Sequence, residues 1–297
     1  MTGQSRALSP SAQSLVIRRA VPADAEACGK ICFEAFGTIA RQHNFPHDFP
    51  NPEVAAGLLR MLFSHPAFFC VVAEQDGKLI GSNCMDERTA IAGVGPITID
   101  PASQNRTAGR QLMQAVMTRA AERKFAGIRL VQSAYHNRSL SLYAKLGFVV
   151  REPLSCMQGP PIQKNLHGYG VRPALADDLT ACNDLCLRVH GHDRAGELND
   201  AIKRGTAVVA ESGGRITAYA SSVAFFGHAV GETNEDLKAL IAAAPVIQGS
   251  GILVPTRNAE LFRWCLENGL RVVQPMTLMT MGLYNEPAGA YLPSILY

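Results

Sequence analysis

Three stretches of this 297-residue chain occur twice, in the same order, and that repetition limits the fold more than any other feature. Residues 17–32 align without a gap on residues 171–186, and a Cys-x-x-x-Cys pair falls in register in both: Cys28 and Cys32, then Cys182 and Cys186. Each copy reads as a short strand, a turn with an aspartate helix cap, and an amphipathic helix. Residues 71–80 align on 208–217, each an apolar run, an Asp-Gly or Gly-Gly turn and a second strand, the pattern of a β-hairpin. Residues 142–148 align on 264–270, each a helix end, a glycine at the C′ position and the start of a strand. Two tandem α/β domains of one fold follow, with a boundary expected near residues 160–170, where Pro and Gly cluster. In the first copy, strands are expected at 15–20, 68–75, 78–87, 89–99, 127–133, 147–152 and 154–158, and helices at 22–40, 52–64, 104–123 and 137–146.

Composition bounds the functional classes. A formal net charge of +3 is too small for a dense basic face, so no nucleic-acid partner is expected. The apolar runs fall short of the roughly 20 residues a membrane helix needs, and the polar residues 1–14 read as a disordered tail without a signal-peptide core. No membrane association is expected, and a cytoplasmic location follows. The eight cysteines are then expected to be reduced, the two spaced pairs packing as small apolar residues on helix faces, with no metal site.

The most informative stretch is the strand, turn and helix around residues 94–119. The strand ends at Pro101, the helix continues with apolar residues at helical spacing, and the turn carries Asn105, Arg106, Gly109 and Arg110. No acidic residue lies between Asp100 and Glu122. Read alone, this is either an ordinary strand-to-helix turn or an anion site built from a helix N-terminus and nearby arginines. Gly95-Pro96 within the strand marks a bulge or an edge. A bulge there would turn main-chain groups of Ile97, Thr98 and Ile99 toward an extended, amide-bearing ligand.

At these residues the chain resembles the GNAT superfamily of acyl-CoA N-acyltransferases. Ile99-Asp-Pro101 followed by Gln104 to Gly109 matches the strand end and glycine-bearing loop of that family, with Thr107 in place of the first glycine. About thirty residues on, His136 to Phe148 matches the second signature at Leu142, Tyr143, Gly147 and Phe148, with His136 and Asn137 at the usual Asn position. The resemblance implies two tandem GNAT-like domains, each a mixed, mostly antiparallel twisted sheet flanked by helices. A catalytic domain would span 15–160, and a degenerate copy with a C-terminal tail 168–297. It also implies acetyl-CoA, or another short acyl-CoA, as co-substrate. Gln104, Asn105, Arg106, Thr107, Ala108, Gly109 and Arg110 would hold its pyrophosphate. Ile97, Thr98 and Ile99 would pair with its pantetheine arm, and His136, Asn137 and Tyr143 would lie beside it.

The reaction so implied is attack of an amine on a thioester, with Tyr143 as the acid that protonates the departing sulfur. The base is left open among Glu34, Asp86, Glu87, His136 and a water chain. His43 and His47, in the loop after the first helix, are expected on the acceptor side together with Asp86. The acceptor is expected to be a small-molecule amine, and the alternative function is a non-catalytic acyl-CoA sensor or interaction module. In the second copy, acidic residues Glu232, Glu235 and Asp236 mark the equivalent helix start and Cys265 stands at the Tyr143 position, so that copy is expected to be inactive. The apolar tail 282–297 should pack on the body or on a second copy of the chain, as in a homodimer.

Overall fold

The computed structural model describes residues 15–104 and 107–296; the expected tail 1–14, and Asn105 and Arg106, lie outside the described residues. The first half runs β1 (Leu15–Arg19), α1 (Ala25–Gln42), α2 (Pro52–Ser64), β2 (Phe68–Gln75), β3 (Lys78–Asp86), β4 (Ile91–Ile99), α3 (Ala108–Glu122), β5 (Gly127–Ser133), α4 (Asn137–Lys145) and β6 (Val149–Gln158). The second half repeats the order with β7 (Gly170–Pro173), α5 (Leu179–His190), α6 (Ala195–Lys203), β8 (Val208–Ser212), β9 (Arg215–Ala220), β10 (Ala229–Gly231), α7 (Asn234–Ala243), β11 (Ile252–Pro255), α8 (Ala259–Glu267) and β12 (Arg271–Gly282), then adds β13 (Ala290–Leu292).

The repeat reaches individual hydrogen bonds. Arg18 joins Asp24 and Glu74, and Arg172 joins Asp178 and Glu211. The main-chain N–H of Val21 donates to Asp24 at 2.9 Å, and that of Leu175 to Asp178 at 2.7 Å. Ile17 pairs with Ala73, Val171 with Ala210, and a bulge follows each alanine. The spaced cysteines lie in equivalent cores, Cys28 and Cys32 under α1 and α2, Cys182 and Cys186 under α5 and α6; all eight cysteines are buried free thiols.

The sheets do not divide where the sequence does. One has the order β1-β2-β3-β4-β5-β12-β6-β11, the other β13-β10-β9-β8-β7. β12, from the second half, lies between β5 and β6 of the first, and β6 lies between β12 and β11 of the second. Because β6 and β12 are equivalent in the repeat, the halves have exchanged their last strands reciprocally, and the expected partition at 160–170 is crossed by hydrogen-bonded strands.

β6 is one strand where two were expected, split at Pro153. The Pro153 carbonyl accepts from the Thr256 N–H at 2.9 Å, so its nitrogen faces the same side, past the end of the β11 ladder, where no donor is needed. The tail packs on the body: β13 pairs with β10, Ile295 joins the core beneath β6 and β12, and Leu296 joins the core of α1 and α2.

Candidate functional site

β4 and β5 pair in parallel only from Ile91–Gly127 to Gly93–Arg129. Beyond Gly93, β5 stays against β12 on its other side, while β4 follows β3. On β4, Gly95 and Pro96 stand between the Met85–Val94 and Asn83–Ile97 pairs, opposite Cys84 alone, which is the expected bulge. The strands therefore part into a wedge. The Asp100 N–H donates to the Ile80 carbonyl at 2.8 Å, so alternation turns Thr98 toward β3 and turns the main-chain groups of Ile97 and Ile99 into the wedge.

The wedge opens into a cavity of about 620 Å³. It brings together Ile97, Thr98, Ile99, Gln104, Thr107, Ala108, Gly109, Arg110, His136, Asn137 and Tyr143. The chain folds this way because α3 and α4 follow β4 and β5 directly, so both helices start at the open end of the wedge. Neither start has a side-chain cap or an acidic residue in its first turn. Two helix starts without side-chain caps, each with its positive partial charge, thus converge on one mouth. Arg110 and Arg138 flank it. Arg138 Nη1 donates to Gln104 Oε1 at 2.6 Å, and Gln104 Nε2 donates to the Ile99 carbonyl at 3.4 Å, which ties the loop before α3 to α4. A Cβ on Gly109 would meet only Leu142 and Ile99, at 3.7 and 3.8 Å, so this glycine leaves space on the cavity side. Thr107 caps α3 at φ 48°, a left-handed conformation that suits glycine better than a β-branched residue.

Tyr143 is buried on α4, with its ring edge-on to Phe148 at 6.2 Å. Burial raises its phenol above the ordinary value, so it stays protonated at neutral pH and can give a proton. His136 is neutral: burial, then Arg138 and His43, lower it to about 4.

The other end of the cavity lies between the halves. His43 reaches it, with its ring 5.4 Å from that of Tyr135. His47 does not: it stacks on Phe33 at 4.4 Å and lies over Gly37, where a Cβ would clash with it. Asp86 does not either. It is clamped by Arg88, which also bonds Asp200 of the second half at 2.9 Å, so it holds the halves together. Glu87 pairs with Arg119, and Glu34 lies 3.8 Å from Arg41; neither lines the cavity.

Sequence reasoning missed Asp48, Arg138, Phe225, Phe226, Ile295 and Leu296, all of which line the cavity. Asp48 carried one signal, a carboxylate inside the aromatic run from His43 to Phe49. The four apolar residues carried none, because only tertiary packing brings the second half and the tail to this place.

The equivalent place in the second half is closed. Thr233 and Asp236 form a reciprocal cap at the start of α7, and Glu235 and Asp236 add negative charge. β13 occupies the side of β10 that β5 takes on β4, and Ala290 and Leu292 pack with Ile252 and Val254 of β11. Cys265 is buried in α8.

Residues 37–148 match the model of the acetyltransferase (GNAT) family. No curated protein matches the chain. Solved structures resemble it over nearly its full length. An assigned acetyltransferase from Pyrococcus horikoshii is 18% identical, with 98% of each chain covered and a TM-score of 0.73. A GCN5-related N-acetyltransferase from Sphaerobacter thermophilus is 16% identical, covering 92% of this chain and 96% of that one, at a TM-score of 0.60. A tandem GNAT protein from the clavulanic acid biosynthesis pathway is 13% identical, covering 91% and 98%, at 0.55. Identities this low carry the fold alone.

Proposed function

We propose that the chain is a tandem GNAT-type N-acyltransferase that moves an acetyl or other short acyl group from coenzyme A to the amine of a small molecule, a reading supported by the family match over residues 37–148. One observation carries the reading. A single cavity joins a cation-flanked pair of uncapped helix starts, a strand edge with main-chain groups turned outward, and a buried, protonated tyrosine.

The residues fit the co-substrate part by part. Main-chain donors of Thr107 to Arg110, aided by Arg138, suit a pyrophosphate. Ile97 and Ile99 offer strand-like donors and acceptors to an amide-bearing arm. The bound thioester supplies the acyl carbon and leaves as a thiol, a leaving group of moderate acidity. When the amine nitrogen bonds to that carbon and the carbon–sulfur bond breaks, Tyr143 gives its proton to the sulfur. The amine's displaced proton restores the phenol. A main-chain N–H beside the bulge stabilises the oxygen as it gains charge.

Calorimetry with acetyl-CoA, followed by an amine panel, tests this. Binding should weaken by more than about tenfold in Arg110→Glu, because a charge-assisted contact becomes a repulsion. Absence of acetyl-CoA binding in the intact chain would end the reading. Binding without transfer to any amine would instead favour a non-catalytic acyl-CoA sensor.

A further inference from the structure

The far end of the cavity holds one carboxylate in an apolar setting. Asp48 Oδ1 accepts from Gln274 Nε2 at 2.9 Å, and Gln274 Oε1 accepts from the Tyr135 hydroxyl at 3.0 Å. Gln274 is buried on β12, so the exchanged strand fixes this carboxylate from behind. No cation pairs with Asp48 among the described residues: His47, the basic group that acts on it through space, bonds Arg41 and stacks on Phe33. The same cavity is lined by Phe36 and Phe49 from the first half and by Phe225, Phe226, Ile295 and Leu296 from the second. Phe226 is 38% exposed, an apolar surface that an apolar ligand would cover. The wall is held in place, since the Ile295 N–H donates to the Phe225 carbonyl at 3.0 Å.

A half-buried carboxylate with a free oxygen and an apolar surround suits one cation attached to an apolar body. Among the described residues that line the cavity, Asp48 is the one carboxylate, so the further cations of a polyamine or an aminoglycoside would find no second anionic partner there. Resting on the proposed transfer reaction, we infer that the acceptor is a monoamine with an aromatic or branched apolar body, its ammonium held by Asp48 and its body clasped between the two halves and the C-terminal tail. Burial raises the Asp48 carboxyl above its ordinary value, which suits it to take the proton that the ammonium loses before attack and to pass it to solvent.

Steady-state kinetics of the full chain with acetyl-CoA test the inference, with 2-phenylethylamine, spermidine and a lysine-containing peptide as acceptors. The wild type should prefer 2-phenylethylamine by more than about tenfold in kcat/KM, and Asp48→Asn should raise its KM by about tenfold or more, the worth of a charged hydrogen bond. Acetyl-CoA affinity in that near-isosteric variant should stay unchanged, which also shows that it is folded. Phe226→Ala, at an exposed site, should raise KM for 2-phenylethylamine and leave acetyl-CoA binding intact. Equal KM in wild type and Asp48→Asn, or preference for spermidine or the peptide, would overturn the inference while leaving the transfer reaction standing. Loss of acetyl-CoA binding in the wild type would remove both.

Discussion

At the scale of single residues, Tyr143 and Thr107 make opposite demands. Tyr143 sits where burial keeps its phenol protonated, and removing the hydroxyl alone leaves the ring packed on Phe148. Tyr143→Phe should lower kcat by roughly a hundredfold, the worth of a general acid, while the acetyl-CoA dissociation constant and the melting temperature stay put. Unchanged kcat in rapid-mixing or steady-state assays would take Tyr143 out of the mechanism. Thr107 holds φ at 48°, which costs a non-glycine residue about 1–2 kcal/mol. Glycine would relieve that but would lose about 0.5–1 kcal/mol through its freer unfolded chain. Thr107→Gly should therefore melt at the wild-type temperature or slightly above, and calorimetry should still find acetyl-CoA binding. A clear drop in melting temperature would mean that the threonine side chain makes a contact of its own.

Among elements, the second half contributes three buried histidines near its junction with the first. His190 and His228 share a hydrogen bond at 3.1 Å, and the His192 ring stacks on His190 at 5.6 Å. Burial, reinforced by Arg129 and Arg194, lowers all three, His192 to about 4. Folded, they are neutral; unfolded, they take protons below about pH 6.5. Between pH 6.5 and 4 the unfolded chain binds more protons, so stability falls as pH falls through that window, by on the order of 3 kcal/mol for His192 alone at its lower end. Urea midpoints at pH 7.5, 6 and 5 should decline in that order, and His192→Gln should flatten the decline. A midpoint indifferent to pH over this range would refute the assignment.

For the whole molecule, the exchange of β6 and β12 governs folding. A fragment ending at residue 168 would have β5 and β6 with no strand between them, two unpaired apolar edges at the centre of its sheet. Such a fragment should be insoluble or unfolded when expressed alone, and should recover when residues 169–297 are co-expressed. The intact chain should show one calorimetric transition, because the eight-stranded sheet is complete only with strands from both halves. A fragment that folds alone with a native-like circular dichroism spectrum would show that the exchange is dispensable.

The sequence determined everything that depends on local pattern. The repeat is legible because Arg18 and Arg172 need the same two carboxylates in each copy, and β2 and β5 span the expected residues 68–75 and 127–133, around their apolar runs. The wedge is legible in Gly95-Pro96, and the positive helix start at its mouth in a turn without acidic residues. Tertiary structure alone decided which half owns which strand, since β6 and β12 have matching patterns and either pairing buries the same faces. It also assembled the far end of the cavity: it turned His47 and Asp86 to structural work and brought Asp48 into one lining with the phenylalanines of the second half and the C-terminal tail. Those residues meet only across the exchanged sheet, far apart along the chain, where neither periodicity nor spacing reaches.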